Sequence, residues 1–179
     1  LYDIGWKPTI LEKGYKSYRY KILETLHKKE FNFKTILISG HTGTGKTEIL
    51  EILKKKNMQI LDLELMANHR GSLLGAEKKS QPSQKLFESK IFKQILNFNK
   101  NEPIIIEAES NKIGNLTIPP SLWSKMKLSN RIEIKAKKNH RVEYLKERYS
   151  DLTNNVDSLI KKLSKFKNIQ NNKNINIWI

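Results

Sequence analysis

Cysteine is absent from the 179 residues of this chain. Its absence excludes disulfide bonds, thiolate metal sites and a thiol nucleophile within the chain. The four histidines lie far apart in the sequence, and none forms a pair at metal-binding spacing; they are His27, His41, His69 and His140. A structural zinc site is therefore not expected.

Long hydrophobic runs are also missing: none approaches the roughly 20 apolar residues that span a bilayer. The chain begins without a basic and then apolar leader, so a cytoplasmic protein with no membrane partner is predicted. Its length suits one hydrophobic core.

Acidic residues are scarce. Asp and Glu total 18 against 34 Lys and Arg, which gives a formal charge of +16. Such a surplus favours a polyanionic partner, nucleic acid first of all. The alternative is a lysine-rich composition without functional meaning, which the many Lys, Asn and Ile residues would also fit.

Short β-branched runs alternate with helical periodicity along most of the chain. Strands are predicted at 34–39, 58–63, 103–108 and 131–136, and helices at 15–29, 46–56, 83–99, 119–126, 140–149 and 154–166. This alternation predicts an α/β fold, a parallel sheet flanked by helices in the manner of P-loop NTPases, with a helical C-terminal part. Residues 1–14 are predicted to be a linker or arm, 15–179 the P-loop domain, and 65–83 a long loop.

Two helices have predicted apolar faces. The first comprises Tyr15, Tyr18, Ile22 and Leu26, and the second comprises Leu86, Phe87, Phe92, Ile95 and Leu96.

Residues 40–47, GHTGTGKT, match the phosphate-binding pattern G-x-x-x-x-G-K-[ST] between a predicted strand and a predicted helix. The glycines let successive backbone N–H groups point at one phosphate group, and the helix N-terminus adds positive potential. Lys46 is expected to reach the outer phosphate and Thr47 to ligate Mg²⁺. The residues predicted to bind the phosphates are Gly40, Thr42, Gly43, Thr44, Gly45, Lys46 and Thr47.

A phosphate-bound Mg²⁺ needs a carboxylate at the end of a neighbouring strand. Glu107 ends the third predicted strand, and Glu109 lies on the same side of an extended chain two residues later. Asp62, at the end of the second strand, is another candidate ligand. The alternative is that these acids cap strand ends and face water. Taken alone, these features predict an ATP- or GTP-dependent ATPase or kinase, but such an enzyme does not account for the polar segment 65–83.

Four further blocks resemble the signature of tRNA 2-selenouridine synthases. They are residues 61–75 (LDLELMANHRGSLLG), 81–84 with 87–88 (QPSQ and FE), 106–110 with 113–114 (IEAES and IG), and 14–19 (GYKSYR). They occur in the order of that family and cover roughly residues 14–150.

The resemblance implies a two-stage change of the wobble 2-thiouridine of tRNA. Geranyl diphosphate would first geranylate the sulfur, and selenium from selenophosphate would then replace the geranylthio group. Family members carry an essential cysteine for the second stage on an N-terminal rhodanese domain. This chain contains neither, and family members continue past its last residue. The expectation is therefore a split-gene partner of a rhodanese protein or a fragment, with geranyl transfer as the retained half.

The resemblance also implies roles for polar residues outside the P-loop. His69 and Arg70 join Lys46 and Glu107 as candidate catalytic residues. The candidate ligand-binding residues are Asn68, Arg70, Ser72, Gln84, Glu109 and Ser110. The alternative is a segment held together by its own side-chain contacts.

Basic and aromatic residues supply candidate contacts to tRNA. They are Lys78, Lys79, Lys85, Lys112, Arg131, Lys135, Lys137, Lys138 and Arg148, with Tyr15, Tyr18 and Trp123 as stacking platforms. A non-catalytic tRNA-docking subunit is the remaining alternative to an enzyme.

Overall fold

The computed structural model describes residues 12–70 and 79–150, together with Gly5, Lys7 and Ile160. Six α-helices lie in these residues: α1 (Gly14–Leu23, continued by a π-helical turn over Glu24–Lys28), α2 (Lys46–Lys55), α3 (Leu63–Ala67), α4 (Gln84–Leu96), α5 (Pro120–Leu128) and α6 (Lys138–Arg148). The strands are β1 (Thr35–Ser39), β2 (Gln59–Leu61), β3 (Ile104–Glu107), β4 (Lys112–Ile113), β5 (Leu116–Thr117) and β6 (Asn130–Glu133).

Four of the strands form one parallel sheet in the order β2-β3-β1-β6. The central strand β1 has the sequence TILIS, whose β-branched residues suit a pleated and buried strand. β4 and β5 pair separately as a small antiparallel hairpin. The predicted fold class, a parallel sheet flanked by helices, is confirmed.

Alternate side chains of the sheet enter two hydrophobic clusters, as the period of two in a strand requires. Leu37 and Ile106 belong to the larger cluster, which also contains buried residues of α1, α3, α4 and α5. Ile38 and Ile105 belong to the smaller one, where Leu50 of α2 is 1% exposed. The sheet is therefore a central layer between α2 on one face and α1, α3, α4 and α5 on the other.

The segment predicted as a loop over 65–83 was partly wrong, because its first residues belong to the helix α3. Asp62 caps that helix: its carboxylate accepts a hydrogen bond from the backbone N–H of Leu65 at 2.8 Å. Asn68 then ends α3 in the left-handed conformation, with φ of 49°. A short helix closed by its own caps carries too few turns to show helical periodicity.

Three predicted core positions were also wrong. Tyr15, Leu86 and Leu96 are 63%, 50% and 67% exposed, whereas Ile22 and Phe87 are fully buried. The helices that carry them bury a narrower face than the apolar pattern predicted.

Several predictions concern residues outside the described part of the chain. They are the helix 154–166 apart from Ile160, most of the arm 1–14, Ser72 and Lys78. In the described residues, no helix combines the length and apolar character that crossing a bilayer requires.

Candidate functional site

The P-loop joins β1 to α2, so its amide groups lie at the N-terminus of a ten-residue helix. Gly43 and Gly45 have φ values of 86° and 77°, a region that side chains disfavour. Gly40 allows a close approach: a Cβ there would lie 2.5 Å from the carbonyl oxygen of Ile134. The loop conformation therefore depends on glycine at these three positions.

Lys46, the first residue of α2, points back across the loop. Its Nζ donates a hydrogen bond to the carbonyl oxygen of Gly40 at 3.0 Å and lies 3.5 Å from Oε1 of Glu107. β3 pairs with β1 in a register that sets Glu107 opposite Ile38, two residues before the loop begins. The pairing of these two strands thus brings the P-loop lysine and the strand-end carboxylate together.

Three carboxylates meet beside this lysine. Glu64 of α3, Glu107 of β3 and Glu109 just beyond it each offer an oxygen within 4.8 Å of the others. Oε2 of Glu107 is buried and has no hydrogen-bond partner among the described residues. We call these three residues the carboxylate cluster. Carboxylate oxygens of this kind suit Mg²⁺. The buried Oε2 of Glu107 is an unsatisfied acceptor, and a bound cation would satisfy it.

Burial and mutual repulsion perturb the titration of the cluster. Burial raises the pKa of Glu107 to about 7, although the charge of Lys46 opposes the shift. Burial, followed by repulsion from Glu107 and Glu109, raises the pKa of Glu64 as well. The pKa of Glu109 is also raised by burial. Burial therefore favours the protonated form of these carboxyl groups, and a cation that binds them would compete with the protons.

Asp62 does not join the cluster, since its carboxylate caps α3. Glu64, which follows it by two residues, occupies that place instead. Asp62 and Thr47 both line a cavity next to the cluster, which is described below. The predicted role of Asp62 as a metal ligand stays a prediction.

Helix α6 covers the P-loop, an arrangement that the sequence did not predict. The guanidinium Nε of Arg141 donates a hydrogen bond to the carbonyl oxygen of Thr42 at 3.0 Å. A Cβ on Gly43 would lie 2.8 Å from the carbonyl oxygen of Arg141 and 2.9 Å from Cγ of Leu145. The missing side chain of Gly43 therefore lets α6 pack directly on the phosphate-binding loop.

The far end of α6 is tied to α2 through Glu48. The hydroxyl group of Tyr144 donates a hydrogen bond to Oε1 of Glu48, and Nη1 of Arg148 lies 3.3 Å from the same oxygen. Arg70 reaches the same place: its Nη1 donates to the carbonyl oxygen of Arg148 at 3.2 Å, and its guanidinium lies 5.0 Å from the ring centroid of Tyr149. Arg148, predicted only as a tRNA contact, thus lies beside the P-loop.

Two cavities adjoin the loop. The smaller, of about 200 Å³, lies between the P-loop, Glu64, Glu107, Glu109 and α6, and we call it the phosphate cavity. The larger, of about 850 Å³, is the large cavity, to which Asn68, His69 and Arg70 all contribute. Thr47, Glu64, Arg70 and Arg148 line both cavities.

Two candidate ligand-binding residues lie elsewhere and line neither cavity. The side-chain amide of Gln84 donates to the carbonyl oxygen of Thr117 at 2.8 Å and accepts from its N–H at 2.9 Å. The hydroxyl of Ser110 donates to the carbonyl oxygen of Lys112 at 2.6 Å. These contacts fit the structural alternative for both residues.

A glycine-rich loop between a parallel strand and a helix, with an inward lysine and a carboxylate on the adjacent strand, defines a P-loop phosphate-binding protein of the α/β class. The family model of the tRNA 2-selenouridine synthase AAA domain matches residues 33–174. The chain therefore belongs to the tRNA 2-selenouridine synthase family.

Curated relatives agree with this membership, and each is named tRNA 2-selenouridine synthase. The protein of Nitrosomonas eutropha is 31% identical over 146 residues, covering 80% of this chain and 37% of its own length. That of Pseudomonas syringae pv. tomato is 36% identical over 132 residues, 73% of this chain and 35% of its own. That of Hydrogenovibrio crunogenus is 30% identical over 156 residues, 83% of this chain and 42% of its own. The chain thus spans well under half the length of these relatives.

Among solved structures, AMPPCP-bound DnaA from Aquifex aeolicus is similar at 18% identity and a TM-score of 0.34, covering 80% of this chain and 53% of that one. A score of this size bears on neither mechanism nor ligand.

Proposed function

We propose that this chain is the P-loop part of an enzyme that transfers a geranyl group from geranyl diphosphate to the sulfur of wobble 2-thiouridine in tRNA. The observation that carries the proposal is the meeting of Lys46, the P-loop amides and the carboxylate cluster around one small phosphate cavity. Relatives named tRNA 2-selenouridine synthase supply the nucleic-acid substrate, and the formal charge of +16 suits a polyanion.

The diphosphate is the group that the P-loop recognises. Its backbone N–H groups and Nζ of Lys46 read phosphate oxygens, whatever is attached to the phosphates. The phosphate cavity, at about 200 Å³, is small. A phosphate group fits there, and the remainder of the ligand lies outside it. In this proposal Lys46 releases its hydrogen bond to Gly40 and follows the charge that develops on the leaving diphosphate.

Mg²⁺ fits the residues present, because the buried Oε2 of Glu107 has no partner among the described residues and two further carboxylates lie beside it. Glu64, Glu107 and Glu109 would hold it, with Thr47 on the phosphate side. When bound, the metal supplies positive charge next to the diphosphate oxygens.

Transfer needs no nucleophile from the protein, in keeping with a chain that lacks cysteine. The sulfur of the base forms a bond to C1 of the geranyl group as the bond from C1 to the diphosphate oxygen breaks. The base loses the proton of its N3, so the products are the S-geranylated nucleoside, diphosphate and one proton. His69 lines the large cavity and is a candidate to receive that proton. Arg70 borders both cavities and is placed to bind a phosphate oxygen.

Replacement of the geranylthio group by selenium requires chemistry that this chain does not contain. We assign that stage to a rhodanese-domain protein or domain that acts together with this chain.

The experiment that tests the proposal measures diphosphate release from geranyl diphosphate, with and without 2-thiouridine-containing tRNA and with and without Mg²⁺. The proposal predicts release that depends on both. Hydrolysis of ATP or GTP, abolished by Lys46→Ala and indifferent to geranyl diphosphate, would instead support a nucleotide-dependent enzyme. Salt-sensitive tRNA binding without any release would support a docking subunit.

A further inference from the structure

A third cavity, of about 650 Å³, is lined by residues of β2, α3 and α4, and we call it the outer cavity. The large cavity and the outer cavity adjoin one another because they share five lining residues, and we call the pair together the groove; the shared residues are Lys54, Ile60, Leu65, Met66 and Gln94. The groove begins at Thr47, which also lines the phosphate cavity, and extends to Met58 and Phe98. A ligand whose phosphates occupy the P-loop can therefore extend past Thr47 along side chains that the adjoining cavities share.

Aliphatic side chains line that path. Ile60 is 5% and Met66 9% exposed, so both present only a small apolar surface to the groove. Leu65 is 65% exposed and lines both cavities, and Met58 is 39% exposed at the outer end. A single exposed leucine needs no explanation. Here two exposed apolar side chains and two buried ones line the groove together. A nonpolar ligand bound there would remove water from the exposed pair.

The polar side chains of the groove lie mainly near the P-loop. Asp62, Glu64, Asn68 and Arg70 line the large cavity but not the outer one. The outer cavity has the apolar side chains of Met58 and Phe98 beside a second polar set; its members are Gln59, Lys90, Lys93 and Asn97. The long lysine side chains suit a rim, since they can lie along an apolar wall with the ammonium group in water. The P-loop end of the groove therefore carries the charged groups that a diphosphate and its cation would need, whereas Met58, Leu65 and Phe98 give the outer cavity apolar surface. This is the pattern expected of a ligand with a charged head and a hydrocarbon tail.

We infer that the groove binds the hydrocarbon tail of the prenyl diphosphate and that this tail covers the exposed side chain of Leu65. The inference rests on the proposed function, because it takes the occupant of the P-loop to be a prenyl diphosphate. It goes beyond that function by assigning the site that distinguishes a prenyl diphosphate from any other diphosphate. Affinity then rises with chain length, by about fourfold for each methylene group that is buried.

Isothermal titration of the protein with Mg²⁺ tests the inference with three ligands: inorganic pyrophosphate, dimethylallyl diphosphate and geranyl diphosphate. Wild-type protein is expected to bind them in that order of rising affinity. Leu65→Gln keeps a helix-forming residue of similar length and is expected to weaken geranyl diphosphate about tenfold while leaving pyrophosphate unchanged. Met58→Gln, farther from the P-loop, is expected to lower the affinity for geranyl diphosphate more than the affinity for dimethylallyl diphosphate.

Leu128→Gln is the matched control, since Leu128 is 86% exposed at the end of α5 and lines none of the three cavities. It is expected to change none of the three affinities. Equal affinities for pyrophosphate and geranyl diphosphate in wild-type protein would overturn the inference, and so would a Leu65→Gln variant that weakens both ligands alike or neither.

Failure of the proposed function gives a different result. Wild-type protein would then bind neither pyrophosphate nor geranyl diphosphate, or the Lys46→Ala variant would bind both with wild-type affinity. Pyrophosphate binding that depends on Lys46, without any effect of chain length or of Leu65, would overturn the assignment of the groove. Release of diphosphate from geranyl diphosphate by the same protein, dependent on tRNA, would show that the proposed function still holds.

Discussion

Nζ of Lys46 lies 3.5 Å from Oε1 of Glu107, and both side chains are nearly buried, at 13% and 4% exposure. The lysine follows the P-loop and the glutamate ends the adjacent strand, so the pair connects the phosphate cradle to the carboxylate cluster. The charge of Lys46 favours the ionised form of Glu107, which burial disfavours. In the proposed function, a bound diphosphate would give Lys46 a stronger partner, and a bound cation would give one to Glu107.

Lys46→Ala should lower the affinity for pyrophosphate by about tenfold to a hundredfold, because it removes a charged donor from the phosphate cavity. Titration calorimetry in the presence of Mg²⁺ measures the change. Lys127→Ala, an exposed lysine on α5, is the control and should retain wild-type affinity. Unchanged binding by Lys46→Ala would mean that the anion binds elsewhere.

The pKa of Glu107 leads to a pH dependence of stability. Burial raises this pKa from 4.5 to about 7 in the folded protein, so the folded state binds the proton more tightly than the unfolded state. The contribution therefore favours folding fully below the unfolded value of 4.5 and is lost as pH rises through about 7. We expect the free energy of unfolding of metal-free protein to fall, on the order of 3 kcal/mol from this group, between about pH 4.5 and about pH 8.

Denaturant titrations of Glu107→Gln should show a flatter pH profile and greater stability than wild type above about pH 7. Glu133→Gln on the exposed edge strand should leave the wild-type slope. Mg²⁺ should stabilise wild-type protein more at about pH 8 than at about pH 6, since metal and proton compete for the same oxygens. A Glu107→Gln variant with the full wild-type slope would show that another group causes it.

The packing of α6 on the P-loop depends on Gly43. Gly43→Ala would place a Cβ within 3 Å of Arg141 and Leu145 at a φ of 86°. We expect a loss of about 1–3 kcal/mol in the free energy of unfolding, together with weaker pyrophosphate binding. Gly14→Ala is the matched control: its φ is 64°, but nothing lies within 4 Å of the added Cβ. It should lower stability without changing anion affinity, and equal anion affinity in both variants would contradict a role for α6 at the loop.

Substitution of Gln84 tests whether this residue has a structural role or a ligand-binding role. Its amide makes two hydrogen bonds to the backbone of Thr117 and thereby fastens α4 to the hairpin. Gln84→Ala should cost about 1–3 kcal/mol in the free energy of unfolding, because two hydrogen bonds with a net value of roughly 0.5–1.5 kcal/mol each are lost. Pyrophosphate and tRNA affinity should not change. A large loss of affinity in a variant of normal stability would restore the role that the family resemblance implied.

The sequence predicted the features that local patterns encode. Glycine and lysine spacing predicted the P-loop, and the run before Glu107 predicted the strand that brings it to Lys46. The Asp62 cap was missed as such, although an Asp before helix-forming residues is its usual signal. The hairpin was missed too, although Gly114 and Asn115 between two short β-branched or aliphatic pairs are a known hairpin turn.

Tertiary packing explains the rest of what was missed. Glu64 joins the carboxylate cluster because α3 begins at Leu63 and turns its side chain toward β3, which strand periodicity cannot anticipate. The placement of α6 on the P-loop depends on contacts with residues about a hundred positions earlier, such as the hydrogen bond from Arg141 to Thr42. No local pattern in 138–148 carries that information.

The mass of the wobble nucleoside tests the central claim most directly. Wild-type protein and Lys46→Ala are incubated side by side with 2-thiouridine-containing tRNA, geranyl diphosphate and Mg²⁺, and the tRNA is then digested to nucleosides. With wild type we expect a nucleoside in which one geranyl group replaces a hydrogen, with the corresponding gain in mass, and with Lys46→Ala none above background. Equal amounts from both proteins, or none from a wild-type protein that binds tRNA and geranyl diphosphate, would contradict the claim.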